Sequence, residues 1–479
     1  MIHALKRTGL VIGMVFGSVS ASQKEQALRD DAVDAMKRAA GYFRTKVATR
    51  GGYLWRYSPD LKKREGEGKA TATQIWVQPP GTPSVGEAFL TAYEATKDRY
   101  YLDGAVAAAH ALAWGQLATG GWDYRIDFDP KAGKKWYYRR DVEAGDTNRG
   151  DRRNTSTFDD DNSQSALRLL MRVDQAVEGK DESIRRAVEY GFKHLLKAQY
   201  PNGAWPQRYW AEHDPAKFPV IKARYPESWS RTHPKVSYAG YYTWNDNAIR
   251  DCVATLLLAY EFYKKPEYRA AAVKAGDFAV LSQMPEPQPV WAQQYNAKME
   301  PAWARRFEPP SVTGGESRAA LDVLKLIYEV TGDAKYIEPI PRALAWYKRS
   351  KLPGGYWARF YELKTNKPLY FTRGTYKLTY DDGDMPTHYG FKGRGMYPTR
   401  VEAWYERLMK VPADQRANTA KEWIAKAKQA PSKVDPKTVR QIIGSLDAQG
   451  RWTTKGWIEC STFNRNIRAL AACVAQARP

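Results

Sequence analysis

The chain has 479 residues, and its 75 lysines and arginines exceed its 53 aspartates and glutamates by 22 charges. So large a basic excess favours a polyanionic partner, whether nucleic acid, anionic lipid or acidic polysaccharide. The six histidines are scattered and the three cysteines (Cys252, Cys460, Cys473) lack metal-ligand spacing, which argues against zinc and leaves buried thiols with at most one bridge.

The chain opens with Lys6 and Arg7, a short apolar run from Leu10 to Phe16, and the small residues Val19-Ser20-Ala21. This pattern reads as a signal peptide cleaved after Ala21, and the run is too short to span a bilayer. It implies a secreted or periplasmic protein whose residues 22–479 form a single domain, and it removes nucleic acid and stable membrane insertion from the partner list. Helical periodicity then dominates. Apolar residues recur at three- and four-residue steps over 32–44, 87–96, 105–117, 163–177, 184–198, 248–263, 268–282, 318–331, 337–347 and 462–475. Extended runs are few; 356–363 and 367–371 read as an inserted hairpin. The charged stretch 141–153 and the Lys- and Ala-rich stretch 412–441 read as non-core, the latter as solvated helix or linker. The predicted fold class is therefore all-α, with a few short β-hairpins inserted between helices.

Several helices end in a glycine turn followed by an aromatic: Gly51-Gly52-Tyr53, Gly120-Gly121-Trp122, Gly203-Ala204-Trp205, Gly354-Gly355-Tyr356 and Gly450-Arg451-Trp452. The leading glycines are 69, 83, 151 and 96 residues apart, a weak repeat with one member missing from the long interval. If helices alternate around a ring, these turns gather at one rim. Glycine permits the reversal, and the aromatic that follows could line a cleft or simply pack. With 17 Trp and 31 Tyr, most aromatics must be core, yet flat rings also suit sugar faces.

Two acidic motifs directly precede helices. Asp159-Asp160-Asp161-Asn162 places three carboxylates in a row, which repel unless a cation or basic groups neutralise them. Trp244-Asn245-Asp246-Asn247 has the same placement and chemistry. A hard cation with oxygen ligands is one answer; helix capping is the plain alternative. Two Pro-bounded loops hold Trp291, Gln293 and Gln294, then Trp303, Arg305 and Glu308. Arginines recur at Arg359, Arg373, Arg451 and Arg465, suited either to carboxylate recognition or to structural ion pairs.

These motifs, in this order, resemble the family 10 polysaccharide lyases, pectate lyases built on an (α/α) toroid. The likeness rests on Asn202-Gly203-Ala204-Trp205-Pro206-Gln207, Trp244-Asn245-Asp246-Asn247-Ala248, Val290-Trp291-Ala292-Gln293-Gln294, Glu308-Pro309-Pro310-Ser311, Ala358-Arg359-Phe360-Tyr361-Glu362 and Ser461-Thr462-Phe463. It implies Ca2+ as cofactor, with Asp246, Asp160, Asp161 and Glu308 as ligand candidates. It implies a catalytic arginine at Arg373, with Arg359 second. It implies substrate contacts from Asn247, Trp205, Arg451, Arg465, Trp291 and Gln294. The chain departs from the family where Gly203-Ala204 replaces a Gly-Gly pair and where 381–395 reads as an insertion. The implied reaction is β-elimination on polygalacturonate or a related polyuronate by a monomer: a base removes the C5 proton and the glycosidic oxygen leaves from C4. An inverting glycoside hydrolase using the two Asp loops, or a non-catalytic polyuronate binder, are the alternatives.

Overall fold

The computed structural model describes residues 21–429 and 434–475, so the predicted signal segment lies outside the described residues except for Ala21. The helices are α1 (Ala21–Tyr42), α2 (Thr82–Thr96), α3 (Arg99–Trp114), α4 (Arg139–Glu143), α5 (Asn162–Ala176), α6 (Glu182–Lys197), α7 (Ala248–Tyr263), α8 (Pro266–Leu281), α9 (Gly314–Thr331), α10 (Pro339–Arg349), α11 (Thr399–Met409), α12 (Arg416–Gln429), α13 (Pro436–Gly444) and α14 (Cys460–Ala475). Their starts follow local chemistry. Asp98 and Asp181 cap α3 and α6 by accepting from the Tyr100 and Ile184 amides, and proline opens α8, α10 and α13.

The packing is helix on helix in two layers. α14, α2, α5, α7 and α9 stand side by side as an inner row, and α1, α3, α6 and α8 pack outside them, the arrangement of an (α/α) toroid. Small residues set the spacing: a Cβ on Gly86 of α2 would lie 2.4 Å from Leu169 of α5, so only glycine lets these two helices meet. One continuous core of buried side chains runs from Leu28 to Cys473, and all three cysteines are free and buried in it. The stretch 412–441, read as solvated helix or linker, instead supplies α12, packed on α9, and the start of α13, packed on α1 and α14.

Connections from an outer helix to the next inner one are long: 48–81, 115–161, 198–247, 282–313 and 445–459. The return connections at 97–98, 177–181 and 264–265 are short. The long connections therefore collect at the rim where inner helices begin. The glycine turns sit there too. Gly51, Gly120, Gly203, Gly354 and Gly450 all have positive φ. At Gly203 (φ +97°) a Cβ would fall 2.0 Å from the Lys274 carbonyl of α8, so the turn docks directly on an outer helix backbone. Glutamines lock the series: Gln116 donates to Gly120 and Ala187 carbonyls, Gln199 to Gly203 and Ala271, and Gln283 to Pro289 and Pro339. The member missing from the long interval is thus the Gln283–Trp291 turn, which has no glycine.

The tryptophans at or beside these turns are mostly core, although Trp452 also borders a cleft between α13 and α14. Trp122, Trp205, Trp291, Trp357 and Trp452 donate their indole N–H to the carbonyls of Leu112, Leu195, Ala279, Tyr347 and Ile442, in or next to the last turn of a preceding helix. They cap helix ends from inside the core.

The strands are short. The predicted hairpin forms, Phe360–Glu362 pairing antiparallel with Pro368–Phe371, and it extends into a four-stranded sheet through Ser311–Thr313 on one side and Leu378–Thr379 on the other. That sheet fixes Arg359 beside the start of α9: the Gly314 amide donates to the Arg359 carbonyl, and the Arg359 amide donates to Phe391.

Candidate active site

The two acidic motifs fold into twin turns. Asp159–Asp161 and Asn245–Asn247 each form one 3₁₀ turn at the head of α5 and α7. Asp160 and Asp246 hold nearly the same left-handed conformation, φ/ψ 51°/34° and 46°/35°. Asp161 and Asn247 continue it at φ 59° and 61°. Aspartate and asparagine tolerate this region better than other non-glycine residues, yet two in succession store strain, a mark of sites where side-chain direction matters more than backbone ease. The turns pack on each other and bring Asp159, Asp160 and Asp246 together, with one carboxylate oxygen from each within 4.8 Å of the others.

The crowding shows in the acidities. Burial, then Asp159, Asp160 and Glu316, push the Asp246 carboxyl up to about 8, against the pull of Arg359. Burial, Asp159 and Glu67 push Asp160 up to about 6. Like charges at this range cannot all ionise unless something positive joins them. Their neighbours orient them. The Tyr124 hydroxyl donates to Asp159 at 3.0 Å, the Gln78 amide to Asp160 at 2.9 Å, and the Asn245 amide to Asp246 at 2.7 Å. The other Asp159 oxygen is buried and has no hydrogen-bond partner. An orphaned carboxylate oxygen within an all-oxygen cluster suits a hard cation such as calcium.

Opposite stands a cationic wall. Arg359 pairs with Glu316 at 2.5 Å and reaches Asn245 Oδ1 at 3.4 Å, and its guanidinium lies 4.3 Å from the Tyr389 ring centre. Burial alone would lower its pKa, but Glu316, Tyr389, Asp246 and Glu308 outweigh burial and raise it. Arg305 pairs with Glu308 at 2.5 Å, and the Tyr389 hydroxyl donates to Glu308 at 2.7 Å. Burial would raise the Glu308 pKa, but these bonds lower it, so Glu308 is an ionised carboxylate already matched to a cation. Its Oε1 is bonded to both Arg305 and Tyr389.

Several candidates sit elsewhere. Asp161 turns from the cluster to pair with Arg168. Arg373 is exposed, donates to the Met385 carbonyl and lies 3.4 Å from exposed Asp384. Arg451 pairs with Asp447 at 2.7 Å, and Arg465 borders a cleft between α13 and α14. Trp205 and Trp291 are wholly buried and present no face to a sugar, and Gln294 is buried with its amide given to the Ala302 carbonyl. Asn247 is exposed beside Asp246. The residues brought in without a sequence prediction of their role are Asp159 as a full member of the cluster, Glu316, and Tyr389. Tyr389 lies in the stretch 381–395 that reads as an insertion; only its position in space links it to Glu308.

The pectic acid lyase family model matches residues 130–356 of the chain. The match includes Asp159, Asp160, Asp246, Glu308 and Glu316, and it ends just before Arg359. No curated protein matches the sequence. Among solved structures, the chain is similar to a family 10 polysaccharide lyase from Cellvibrio cellulosa at 21% identity and TM-score 0.47, covering 68% of this chain and 96% of that one. A variant of the Cellvibrio lyase in complex with trigalaturonic acid aligns at 20% identity and TM-score 0.46, covering 68% and 98%. A family 76 glycoside hydrolase (mannosidase) from Bacteroides thetaiotaomicron aligns at 13% identity and TM-score 0.43, covering 94% and 98%. The matched stretch, a little under half of the chain, is similar to pectic acid lyase, and the clustered carboxylates lie inside it.

Proposed function

We propose that this chain cleaves polygalacturonate or a closely related polyuronate by β-elimination, with a calcium ion held by Asp159, Asp160 and Asp246 and with Arg359 as the catalytic arginine. The observation that carries this reading is the convergence of three carboxylates on one small space facing the Arg359–Glu316 pair, within a stretch that matches pectic acid lyase. A bound calcium ion would offset two of the three carboxylate charges and help spread charge from the uronate carboxylate.

The chain's own residues have distinct tasks. Arg359 and Arg305 present fixed guanidiniums to a uronate carboxylate, where negative charge builds as the C5 proton departs. Glu316 and Glu308 hold those guanidiniums in position, and Tyr389 packs beneath both. The fraction of Arg359 that is neutral can accept the C5 proton. Because its neighbours raise its pKa, that fraction is small at neutral pH and grows as pH rises, so the rate should climb on the alkaline side. Pairing with Glu316 makes the neutral form of Arg359 scarce, although the little that forms is a strong base.

The glycoside hydrolase reading fits less well. An inverting pair needs carboxyl groups about 6.5–9.5 Å apart to admit a water, whereas these oxygens lie within 4.8 Å. Among the described residues no helix is long and apolar enough to cross a membrane. We place the protein in the extracellular or periplasmic space, where a polymer of this size is met. Incubation with polygalacturonate, with and without a chelator, tests the reading. An ultraviolet-absorbing unsaturated product that disappears with chelator is the expected result. New reducing ends without that chromophore would assign a hydrolase, and no product would leave a binding protein.

A further inference from the structure

Next to the carboxylate cluster lies a second, oppositely charged feature. A cavity of about 500 Å³ opens between the starts of α7, α9 and α11, bordered by Asn247, Arg250, Arg318, Asp322, Arg394 and Arg400. It begins where the acidic cluster ends: Asn247 follows Asp246, and Arg318 lies two residues beyond Glu316 on α9. Four guanidiniums thus surround one space. Arg250 is matched, by Asp251 at 2.9 Å and Asp322 at 3.9 Å. Arg318 donates only to the Gly395 carbonyl at 2.6 Å, and Arg394 rests over the Tyr356 ring at 4.7 Å. Among the described residues, Arg318, Arg394 and Arg400 have no carboxylate within ion-pair distance, and all three are exposed. Arg250, Arg318, Lys325 and Arg400 all act on Asp322, pulling down a pKa that burial raises on balance.

Unpaired guanidiniums facing one hollow repel each other, and that arrangement is stable in use only if an anion enters. A guanidinium fork suits planar carboxylates, and several around one elongated space suit a chain of them. Arg394 and Arg400 lie after the stretch matched by the family model, on the 3₁₀ turn Arg394–Met396 and on α11. They are an addition to the matched stretch.

We infer that this cavity is a distal subsite for the polyuronate chain, in which Arg318, Arg394 and Arg400 bind the carboxylates of sugar units beyond those at the acidic cluster, so that the protein prefers long, unesterified chains. The inference rests on the polyuronate reading above. It makes the rim bipolar along the substrate path. The acidic turns need a cation between themselves and a uronate, while the arginine cavity takes uronates directly.

The test is direct binding, by calorimetry in calcium-containing buffer, of short and long oligogalacturonates to the wild-type chain, to Arg394→Ala/Arg400→Ala and to Arg394→Lys/Arg400→Lys. Wild type should bind long oligomers more tightly than short ones. The alanine pair should narrow that gap by about tenfold, and the lysine pair, which keeps the charge, should restore most of it. Arg99→Ala/Lys265→Ala, which removes equal charge from the opposite rim, should leave the gap alone. An unchanged gap in the alanine pair, with wild type still binding, overturns the subsite while sparing the polyuronate reading. No binding by wild type overturns both. Competition by millimolar inorganic phosphate as strong as that by long oligomers would assign the cavity to a small anion and also overturn the subsite.

Discussion

The two turns that open α5 and α7 have almost the same backbone and opposite fates for their last residue. In the first, Asp161 is drawn off by Arg168 on its own helix; in the second, the matching position is Asn247, uncharged and exposed. The central residues, Asp160 and Asp246, keep the same role and face each other. The first positions differ again. Asp159 adds a third carboxylate, while Asn245 donates to Asp246 and accepts from Arg359. A repeated scaffold therefore supplies geometry twice, and single substitutions on it decide which carboxylates gather and which are neutralised locally. Three carboxyl groups remain in the cluster, and the fourth is held by an arginine.

The largest effect that would sharpen this contrast concerns the arginines facing the turns. Arg359→Ala should lower kcat by about 10³-fold with polygalacturonate, because a preorganised charge aimed at the transition state is lost. Arg373→Ala should stay within about threefold of wild type, since its guanidinium is spent on an exposed loop. The reverse ranking would move the centre away from the twin turns. Next in size is a change in the core that frames them. Trp205→Ala should cost about 3–5 kcal/mol in a denaturant melt, from cavity formation and the lost bond to Leu195. Trp205→Phe should cost less and leave KM unchanged; a raised KM would return the ring to the substrate.

A smaller effect separates the members of the acidic row. Asp161→Asn should cost about 1–2 kcal/mol, as the half-buried Arg168 loses its ionic partner, while calcium affinity changes little. A large loss of calcium would put Asp161 among the ligands. The mildest effect is on pH. Burial first, and then neighbouring carboxylates, push Asp246 up to about 8 and Asp160 up to about 6, so binding a cation must displace a proton from Asp246 at neutral pH. Calcium affinity should therefore fall by up to about tenfold for each pH unit below about 8, read by titration at several pH values. A flat profile would mean the carboxylates are already ionised without the ion.

Much of the fold was legible because inner and outer helices repeat one pattern. Apolar spacing over 163–177 and 248–263 anticipates α5 and α7 to within one residue at each end. The glycine turns were legible as turns, since positive φ favours glycine. Their aromatics were not legible as core, because a tryptophan that caps a helix and one that stacks on sugar have the same letter and the same neighbours. The acidic motifs announced a charged site through composition alone. Which aspartate turns inward depends on Arg168, seven residues on, and on a left-handed backbone that sequence does not reveal. Glu316 and Tyr389 are hidden further still. The strand pairing of Ser311–Thr313 with Phe360–Glu362 sets Glu316 against Arg359, and a loop more than eighty residues downstream brings Tyr389 to Glu308.

Calcium titration of the wild-type chain beside Asp246→Asn tests the central claim most directly. One ion per wild-type chain, with binding lost in the variant although the variant melts at the same temperature or higher, is the predicted result, because removing one of three crowded carboxylates relieves repulsion. Equal binding by the two proteins would mean that the twin turns hold no cation, and the proposed chemistry would have no centre.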